Sequence, residues 1–235
     1  MKNTTIHFII LYILLTACIV GLILSFVLQP TSAERIFRNH MRTVVEVRAW
    51  NDPQEKAFGS AVAISRNGTF ITNAHVISFR HLSNDIVFDN IQIRFATDEH
   101  FIDASLERID HDIDLAKIKI DNTGVNIQPA RFRNTRVHEG ERVYAIGNAQ
   151  NHGISIIQGL VSKREVNIEV GSRTITAIQC ALLITQGNSG GALVDARGDL
   201  IGITTFRLRD SGGNVIYGLS FAISISVVQR FLDSM

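Results

Sequence analysis

Short runs in which hydrophobic and polar residues alternate, each bounded by turn residues, fill most of the chain. Because successive side chains of a β-strand point to opposite faces, a period of two predicts half-buried strands. The predicted strands cover residues 44–50, 60–64, 69–72, 91–95, 115–120, 142–146, 154–161, 173–177, 192–194, 200–206 and 216–222. Asn67-Gly68 predicts a hairpin turn between two of them. Many short strands at this spacing favour a β-sandwich or a β-barrel over alternating strands and helices.

Length and charge narrow the class of protein. The chain has 235 residues, and about 200 remain beyond an apolar start, which suits one all-β domain or two small ones. The 23 basic and 22 acidic residues give a net charge of +1, which argues against a general nucleic-acid binder. The glycines fall in turns, and no His, Cys or Glu cluster has the spacing of a metal site, so the sequence predicts neither a metal nor a cofactor.

The N-terminal segment is strongly apolar. Residues 8–28 carry no charge, and such a run is long enough to span a bilayer as a helix. We therefore predict a membrane anchor over residues 1–30 and a linker or short helix over residues 31–43. Two alternatives stay open: cleavage as a signal peptide near residues 31–33, and lipidation of Cys18, because residues 15–18 resemble a bacterial lipobox. Arginines after the run would favour a cytoplasmic domain by a literal charge count, but long domains cross membranes largely regardless of charge.

A glycine-rich pentapeptide, residues 187–191, has the composition of a catalytic serine loop. A serine flanked by glycines on a tight turn, as Ser189 is, can expose its hydroxyl while nearby backbone N–H groups converge on a developing oxyanion. Glycine also permits unusual backbone angles and the close approach of a substrate. By itself the pentapeptide is equally compatible with a plain polar loop.

Two further segments supply partners for such a serine. His75 directly follows an alternating strand and the small residue Ala74, which suits a general base packed beside a nucleophile. The chain has 8 histidines, so a lone one could equally be structural. Asp114 opens an apolar strand, where burying an unpaired carboxylate would be costly and where an imidazole N–H would compensate it. Asp110 and Asp112 are rivals, which we interpret as exposed acids in a turn.

The order histidine, aspartate, serine along the chain is that of chymotrypsin rather than that of subtilisin or the α/β-hydrolases. Together with the segments at residues 59–64, 145–148, 190–194, 198–203 and 218–223, these three segments resemble the HtrA/Deg serine proteases, in particular their membrane-anchored DegS-like branch. The resemblance implies a trypsin-like domain over residues 44–235, built from two perpendicular six-stranded antiparallel β-barrels. The first barrel would cover about residues 44–130 and the second about residues 131–223, with a closing amphipathic helix over residues 224–235.

The resemblance also implies the roles of individual residues. Ser189 would be the nucleophile, His75 the base and Asp114 the residue that orients the base. The oxyanion hole would be formed by the N–H groups of Gly187 and Ser189, with Asn188 between them. The apolar residues that would line the primary substrate pocket are Leu182, Leu183, Ile184 and Ile203. Because no acid lies among these pocket residues, we expect cleavage after small or medium aliphatic residues.

The expected activity is serine endopeptidase hydrolysis of polypeptides, in envelope protein quality control or stress-response proteolysis. The protease domain is expected in the periplasm, tethered to the bacterial inner membrane, or secreted or lipid-anchored after cleavage. Resemblance to the family implies a homotrimer. Family members continue into PDZ domains, whereas this sequence stops at Met235, so we expect no PDZ-based sensing. Two alternatives stay open: a latent protease that needs an activating partner, and a pseudo-protease that binds or scaffolds polypeptides.

Overall fold

The computed structural model describes residues 8, 11–21, 32–52, 54, 56–81, 84–121, 124–170, 173–209 and 215–234. Its first eight strands are β1 (Val44–Trp50), β2 (Ala57–Ala63), β3 (Thr69–Thr72), β4 (Ser78–His81), β5 (Asn84–Val87), β6 (Asn90–Phe95), β7 (Ile102–Asp110) and β8 (Leu115–Ile120). Six of them close into a barrel in the order β1-β2-β3-β8-β7-β6, while β4 and β5 form a separate hairpin.

The second half of the chain forms a second closed barrel. Its strands are β9 (Arg142–Gly147), β10 (Ser155–Val170), β11 (Arg173–Ala181), β12 (Ala192–Asp195), β13 (Leu200–Arg209) and β14 (Val215–Ser224). They pair in the order β10-β11-β14-β13-β12-β9. Apart from the helical residues near the N-terminus, the described helices are α1 (Ser32–His40), α2 (Ala74–Ile77) and α3 (Ile225–Asp233), with a 3-10 helix at Ala149–Asn151.

The expected pair of six-stranded antiparallel barrels is confirmed. The hairpin predicted at Asn67-Gly68 joins β2 to β3, and Gly68 has a positive φ of 89° as such a turn requires. The strands predicted from the sequence do not include β4, β5 or β7. In β7, Ile102, Ala104 and Leu106 alternate with polar residues and pack, partly buried, against the core of the first barrel, while hydrogen bonds pair the strand with β6 and β8.

A hydrophobic cluster joins the two barrels to each other. Val62 and Leu115 of the first barrel pack in one cluster with Ile146 and Ile203 of the second, and all four are buried. Because protein interiors are close-packed, this shared cluster fixes the position of one barrel relative to the other. Loops that meet at the junction are therefore held on a rigid base.

Helix α1 packs on the second barrel. Ile36 joins the cluster between the barrels, and the Ser32 hydroxyl lies 2.9 Å from the Tyr144 hydroxyl. The buried His40 ring places its Nδ1 2.7 Å from the Ile36 carbonyl oxygen and its Nε2 3.1 Å from that of Gly198. Burial lowers the pKa of His40 below its ordinary value, although both carbonyl contacts oppose that shift. His40 is therefore a structural histidine that ties α1 to the turn between β12 and β13.

The N-terminal segment is described only in part. Residues 11–21 are helical and largely exposed. Within the described part of the chain, no helix has both the length and the apolar character needed to cross a bilayer. The rest of the predicted anchor, residues 1–7, 9, 10 and 22–30, lies outside the described residues.

Candidate active site

His75 lies on the short helix α2, immediately after β3. All four residues of β3 are buried, so the strand anchors the start of the helix in the first barrel. Ala74, Val76 and Ile77 are buried too, whereas the His75 side chain is 49% exposed. The helix therefore buries its other side chains and presents the imidazole at the surface.

Asp114 lies in the turn between β7 and β8 and has a positive φ of 56°. Its Oδ1 accepts a hydrogen bond from the backbone N–H of His75 at 3.1 Å. The His75 Nδ1 lies 3.0 Å from Oδ1 and 2.9 Å from Oδ2. The Thr205 hydroxyl donates to Oδ2 at 2.7 Å. With Nδ1–H donating to the carboxylate, the Nε2 lone pair of His75 remains available to accept a proton.

His75 and Asp114 each shift the pKa of the other in the direction that favours its charged form. Burial acts to raise the pKa of Asp114, but the charge of His75 and hydrogen bonds from His75 and Thr205 lower it by more. Desolvation acts to lower the pKa of His75, but the charge and hydrogen bond of the Asp114 carboxylate raise it above the ordinary value. The carboxylate therefore stabilises the imidazolium that forms when His75 takes up a proton.

Two glycines set the shape of the loop that carries Ser189. Gly187 and Gly190 have positive φ angles of 91° and 83°. A Cβ on Gly187 would lie 2.1 Å from the Asn148 carbonyl oxygen, and one on Gly190 would lie 2.0 Å from the Ser60 carbonyl oxygen. Any larger residue would clash with backbone as well as strain φ, so both positions require glycine.

Ser60 on β2 connects this loop to the first barrel. Its backbone N–H donates to the Ser189 carbonyl at 2.8 Å, and its hydroxyl donates to the Gly187 carbonyl at 2.8 Å. The same hydroxyl accepts from the Asn148 N–H at 2.8 Å. The serine loop of the second barrel is therefore held directly against the barrel that carries His75 and Asp114.

The Ser189 hydroxyl donates to the Thr205 carbonyl oxygen at 2.7 Å. Across the described residues, no hydrogen bond joins this hydroxyl to His75. The structure thus pairs His75 with Asp114, and it places Ser189 against Thr205, whose hydroxyl binds that same aspartate. Among the residues that the structure describes, Thr205 is the one that forms hydrogen bonds with both Asp114 and Ser189.

The predicted oxyanion donors lie in the same loop. The backbone N–H groups of Gly187 and Ser189 donate to no acceptor within the described part of the chain. In contrast, the N–H of the buried residue Asn188 donates to the Thr185 carbonyl at 3.1 Å, and its Nδ2 lies 3.3 Å from the Thr185 hydroxyl. Asn188 therefore stabilises the loop, while the N–H groups on either side of it are available to a ligand.

The four predicted pocket residues differ in environment. Leu182 and Ile184 are buried in the core of the second barrel, and Ile203 is buried between the barrels. Only Leu183 exposes much of its side chain, at 46%. The Ser220 hydroxyl donates to the Leu182 carbonyl at 2.7 Å and holds this segment in place.

The rival acids have other surroundings. Asp110 Oδ1 accepts hydrogen bonds from the backbone N–H groups of Asp112 and Ile113, at 2.9 and 3.2 Å. Asp112 is exposed. Asp110 therefore stabilises the turn that carries Asp114.

Comparison of the chain with known proteins identifies its family. The profile of the trypsin-like peptidase domain matches residues 59–203. The serine endoprotease DegS of Haemophilus influenzae is 34% identical over 182 residues, which are 76% of this chain and 50% of that protein. DegS of Escherichia coli strain K12 is 34% identical over 188 residues, or 79% of this chain and 50% of that protein. The chain belongs to the HtrA/Deg family of trypsin-like serine proteases.

A solved structure of this family has the same fold. The HtrA-type protease AlgW, determined with a tripeptide, matches with a TM-score of 0.72 at 31% identity, covering 87% of this chain and 63% of that chain. The two DegS relatives are described as serine endoproteases. The present chain spans about half the length of the DegS proteins that it matches.

Sequence reasoning missed three residues that contact the predicted site: Ser60, Asn73 and Thr205. Thr205 carries a weak signal, because two threonines interrupt the otherwise apolar first part of β13. Ser60 lies within the segment at residues 59–64 and Asn73 lies two residues before His75, but their hydrogen-bond partners are distant along the chain. Only the folded structure reveals these contacts.

Proposed function

We propose that this HtrA/Deg protease hydrolyses peptide bonds with Ser189 as nucleophile, His75 as general base and Asp114 as the residue that orients the base. The observation that supports this most directly is that Asp114 binds both the backbone N–H and Nδ1 of His75, while Thr205 contacts Asp114 and Ser189. This network couples an oriented base to a serine on a glycine-shaped loop.

The reaction would begin when the Ser189 hydroxyl turns from the Thr205 carbonyl to His75 Nε2 and attacks the peptide carbonyl carbon. His75 accepts the hydroxyl proton, and Asp114 stabilises the resulting imidazolium. The N–H groups of Gly187 and Ser189 would bind the oxyanion. His75 then donates the proton to the leaving amine, and water, activated by the same histidine, releases the acyl group from Ser189.

The hydrogen bond from Ser189 to the Thr205 carbonyl favours a second candidate, a latent protease. A hydroxyl held by a carbonyl oxygen is not poised to give its proton to His75. In this version, a partner or a substrate would have to move Ser189 before hydrolysis. The two candidates share the same catalytic residues and differ in the resting position of the Ser189 hydroxyl.

Covalent labelling tests the proposed nucleophile. The full chain, solubilised in detergent, is treated with a fluorophosphonate probe, which needs an activated serine and a formed oxyanion hole. Mass spectrometry is expected to locate the label on Ser189. A folded protein that takes up no label would contradict the active form and favour the latent one, and a label on another serine would overturn the assignment.

We also propose that the primary pocket selects aliphatic residues, with Leu183 as its exposed apolar contact. Desolvating a cation against an apolar wall without a partner is costly. On a peptide library, cleavage after aliphatic residues is therefore expected to exceed cleavage after Lys or Arg by at least ~100-fold in kcat/KM.

Two exposed leucines allow a matched test of this pocket. Leu183→Asp is expected to reduce the preference for aliphatic residues, because the new carboxylate would attract cations. Leu160→Asp is the control, because Leu160 on β10 is 48% exposed, close to the 46% of Leu183. Strong cleavage after basic residues by the wild-type protein would contradict the proposal, as would equal effects of the two substitutions.

We place this activity in the bacterial envelope, with residues 1–30 as a membrane anchor and the barrels in the periplasm. The uncharged run over residues 8–28 supports an anchor. One relative of 31% identity, from Rhizobium meliloti, is described as a probable periplasmic DegP-like serine endoprotease. The polypeptide substrates would then be envelope proteins, in quality control or stress-response proteolysis, and we propose a homotrimer as the assembled form.

A further inference from the structure

Asn73 combines complete burial with an incomplete set of hydrogen bonds. Its side chain has 0% exposure, and its Nδ2 donates to the Asp114 carbonyl oxygen at 2.9 Å. Its Oδ1 is the buried side-chain atom that finds no partner among the described residues. A buried acceptor without a partner costs free energy, so the residue is not optimised for stability.

Asn73 also lies at a position where its side chain would normally cap a helix. Asn73 is the N-cap residue of α2, with extended backbone angles of −80° and 148°. Asparagine is among the best N-cap residues because its side-chain oxygen accepts an N–H of the first turn. Here no side-chain cap hydrogen bond forms. The side chain instead reaches across to the turn before β8.

Through this contact, one turn of the chain holds Asp114 at two points. Nδ2 of Asn73 binds the main-chain carbonyl of Asp114, and the N–H of His75, two residues later, binds the Asp114 carboxylate. Asp114 has a φ of 56°, in the left-handed region that is unfavourable for most residues other than glycine. A residue in that conformation needs its surroundings to hold it.

We propose that Asn73 is a positioning residue for catalysis, which holds the main chain of Asp114 so that its carboxylate meets His75 Nδ1. This inference rests on the proposed roles of His75, Asp114 and Ser189. It explains why a buried asparagine leaves both its cap position and its own Oδ1 unsatisfied. The hydrogen bond from Asn73 fixes the position of Asp114 relative to His75, at the expense of folding stability.

Two substitutions separate positioning from support of the fold. Asn73→Ala removes the donor. Asn73→Ser also removes it, since the shorter side chain does not reach Asp114, but it supplies a good N-cap. Losing one positioning hydrogen bond is expected to lower kcat by about 10-fold in both variants. KM is expected to stay within about twofold of wild type, because the substrate contacts are unchanged. The Asn73→Ser variant is expected to keep the wild-type Tm.

The pH profile provides a readout that a purely structural role would not change. The Asp114 carboxylate raises the pKa of His75 against the effect of desolvation. A displaced carboxylate raises it less, so the acid limb of kcat/KM is expected to move to lower pH in both variants. Asn134→Ala, at an exposed position, is the control and is expected to leave kcat and the pH profile unchanged.

A double-mutant cycle decides the outcome. If Asn73 acts through Asp114, adding Asn73→Ala to Asp114→Asn is expected to cause little further loss. An unchanged kcat in the single variants, a full additional loss in the double variant, or a loss of kcat that only follows a lower Tm would overturn the inference. Failure of the proposed function is distinguishable, because then the wild-type protein itself would hydrolyse no peptide or would lose nothing on Ser189→Ala.

Discussion

Ser189→Ala is expected to lower kcat for peptide hydrolysis by about 10⁶-fold, the size of loss seen when other triad proteases lose their nucleophile. The substitution removes the atom that attacks the substrate. It leaves His75, Asp114 and the two oxyanion donors in place, so binding and a small residual rate should remain. The measurement is kcat and KM on one peptide substrate, together with the Tm of both proteins.

The structure predicts that this loss is chemical and not a consequence of unfolding. Within the described part of the chain, the Ser189 hydroxyl makes one hydrogen bond, to the Thr205 carbonyl, and the Ser189 carbonyl accepts the backbone N–H of Ser60. Ser162→Ala is the matched control, because Ser162 is exposed on β10. If Ser189→Ala retained more than about a hundredth of the wild-type kcat, Ser189 would not be the nucleophile.

Asp114→Asn is expected to lower kcat by about 10⁴-fold, as the equivalent change does in another triad protease. An amide has one oxygen where the carboxylate has two. If that oxygen still accepts the hydrogen bond from the backbone N–H of His75, the new NH₂ group faces Nδ1 of the ring and donates a hydrogen bond to it. His75 would then carry its proton on Nε2, which could no longer accept the proton of Ser189.

The pH dependence gives a second signature of this substitution. His75 must be neutral to act as a base, so kcat/KM falls as the pH drops through its pKa. Asp114 raises that pKa, and removal of its charge is expected to lower it. The acid limb of the residual activity should therefore move to lower pH.

Asp112→Asn is the control for this experiment, because Asp112 is an exposed acid two residues away. It is expected to change kcat by less than about twofold. If Asp112→Asn and Asp114→Asn had similar effects, the assignment of Asp114 over its neighbours would be wrong.

Most of the fold class could be predicted from local sequence. Strands such as β1 and β8 alternate apolar and polar residues. This period of two arises because each strand turns one face toward a barrel core. Strand β7 is not among the predicted strands, although Ile102, Ala104 and Leu106 alternate with polar residues. Its apolar side chains are few and only partly buried, so the signal is weaker than in β1 and β8, and hydrogen bonds to β6 and β8 define the strand.

The site divides in a similar manner. His75, Asp114 and Ser189 each lie in a short segment whose residue types carry a chemical signal. Thr205 and Asn73 carry little signal, because their roles depend on partners from other strands and turns. The predicted pocket shows the limit most clearly: four apolar residues look alike in sequence, but Leu183 is exposed while the other three are buried.

Short segments of the sequence are enough to predict the all-β class, the glycine-dependent turns and the order of the three predicted catalytic residues, because these follow from local properties. The folded chain is needed to show that both Asn73 and His75 donate hydrogen bonds to Asp114, and that the Ser189 hydroxyl donates to the Thr205 carbonyl. The physical reason is that these hydrogen bonds join segments far apart along the chain. Their lengths and directions depend on how the barrels close and pack, which no local pattern encodes.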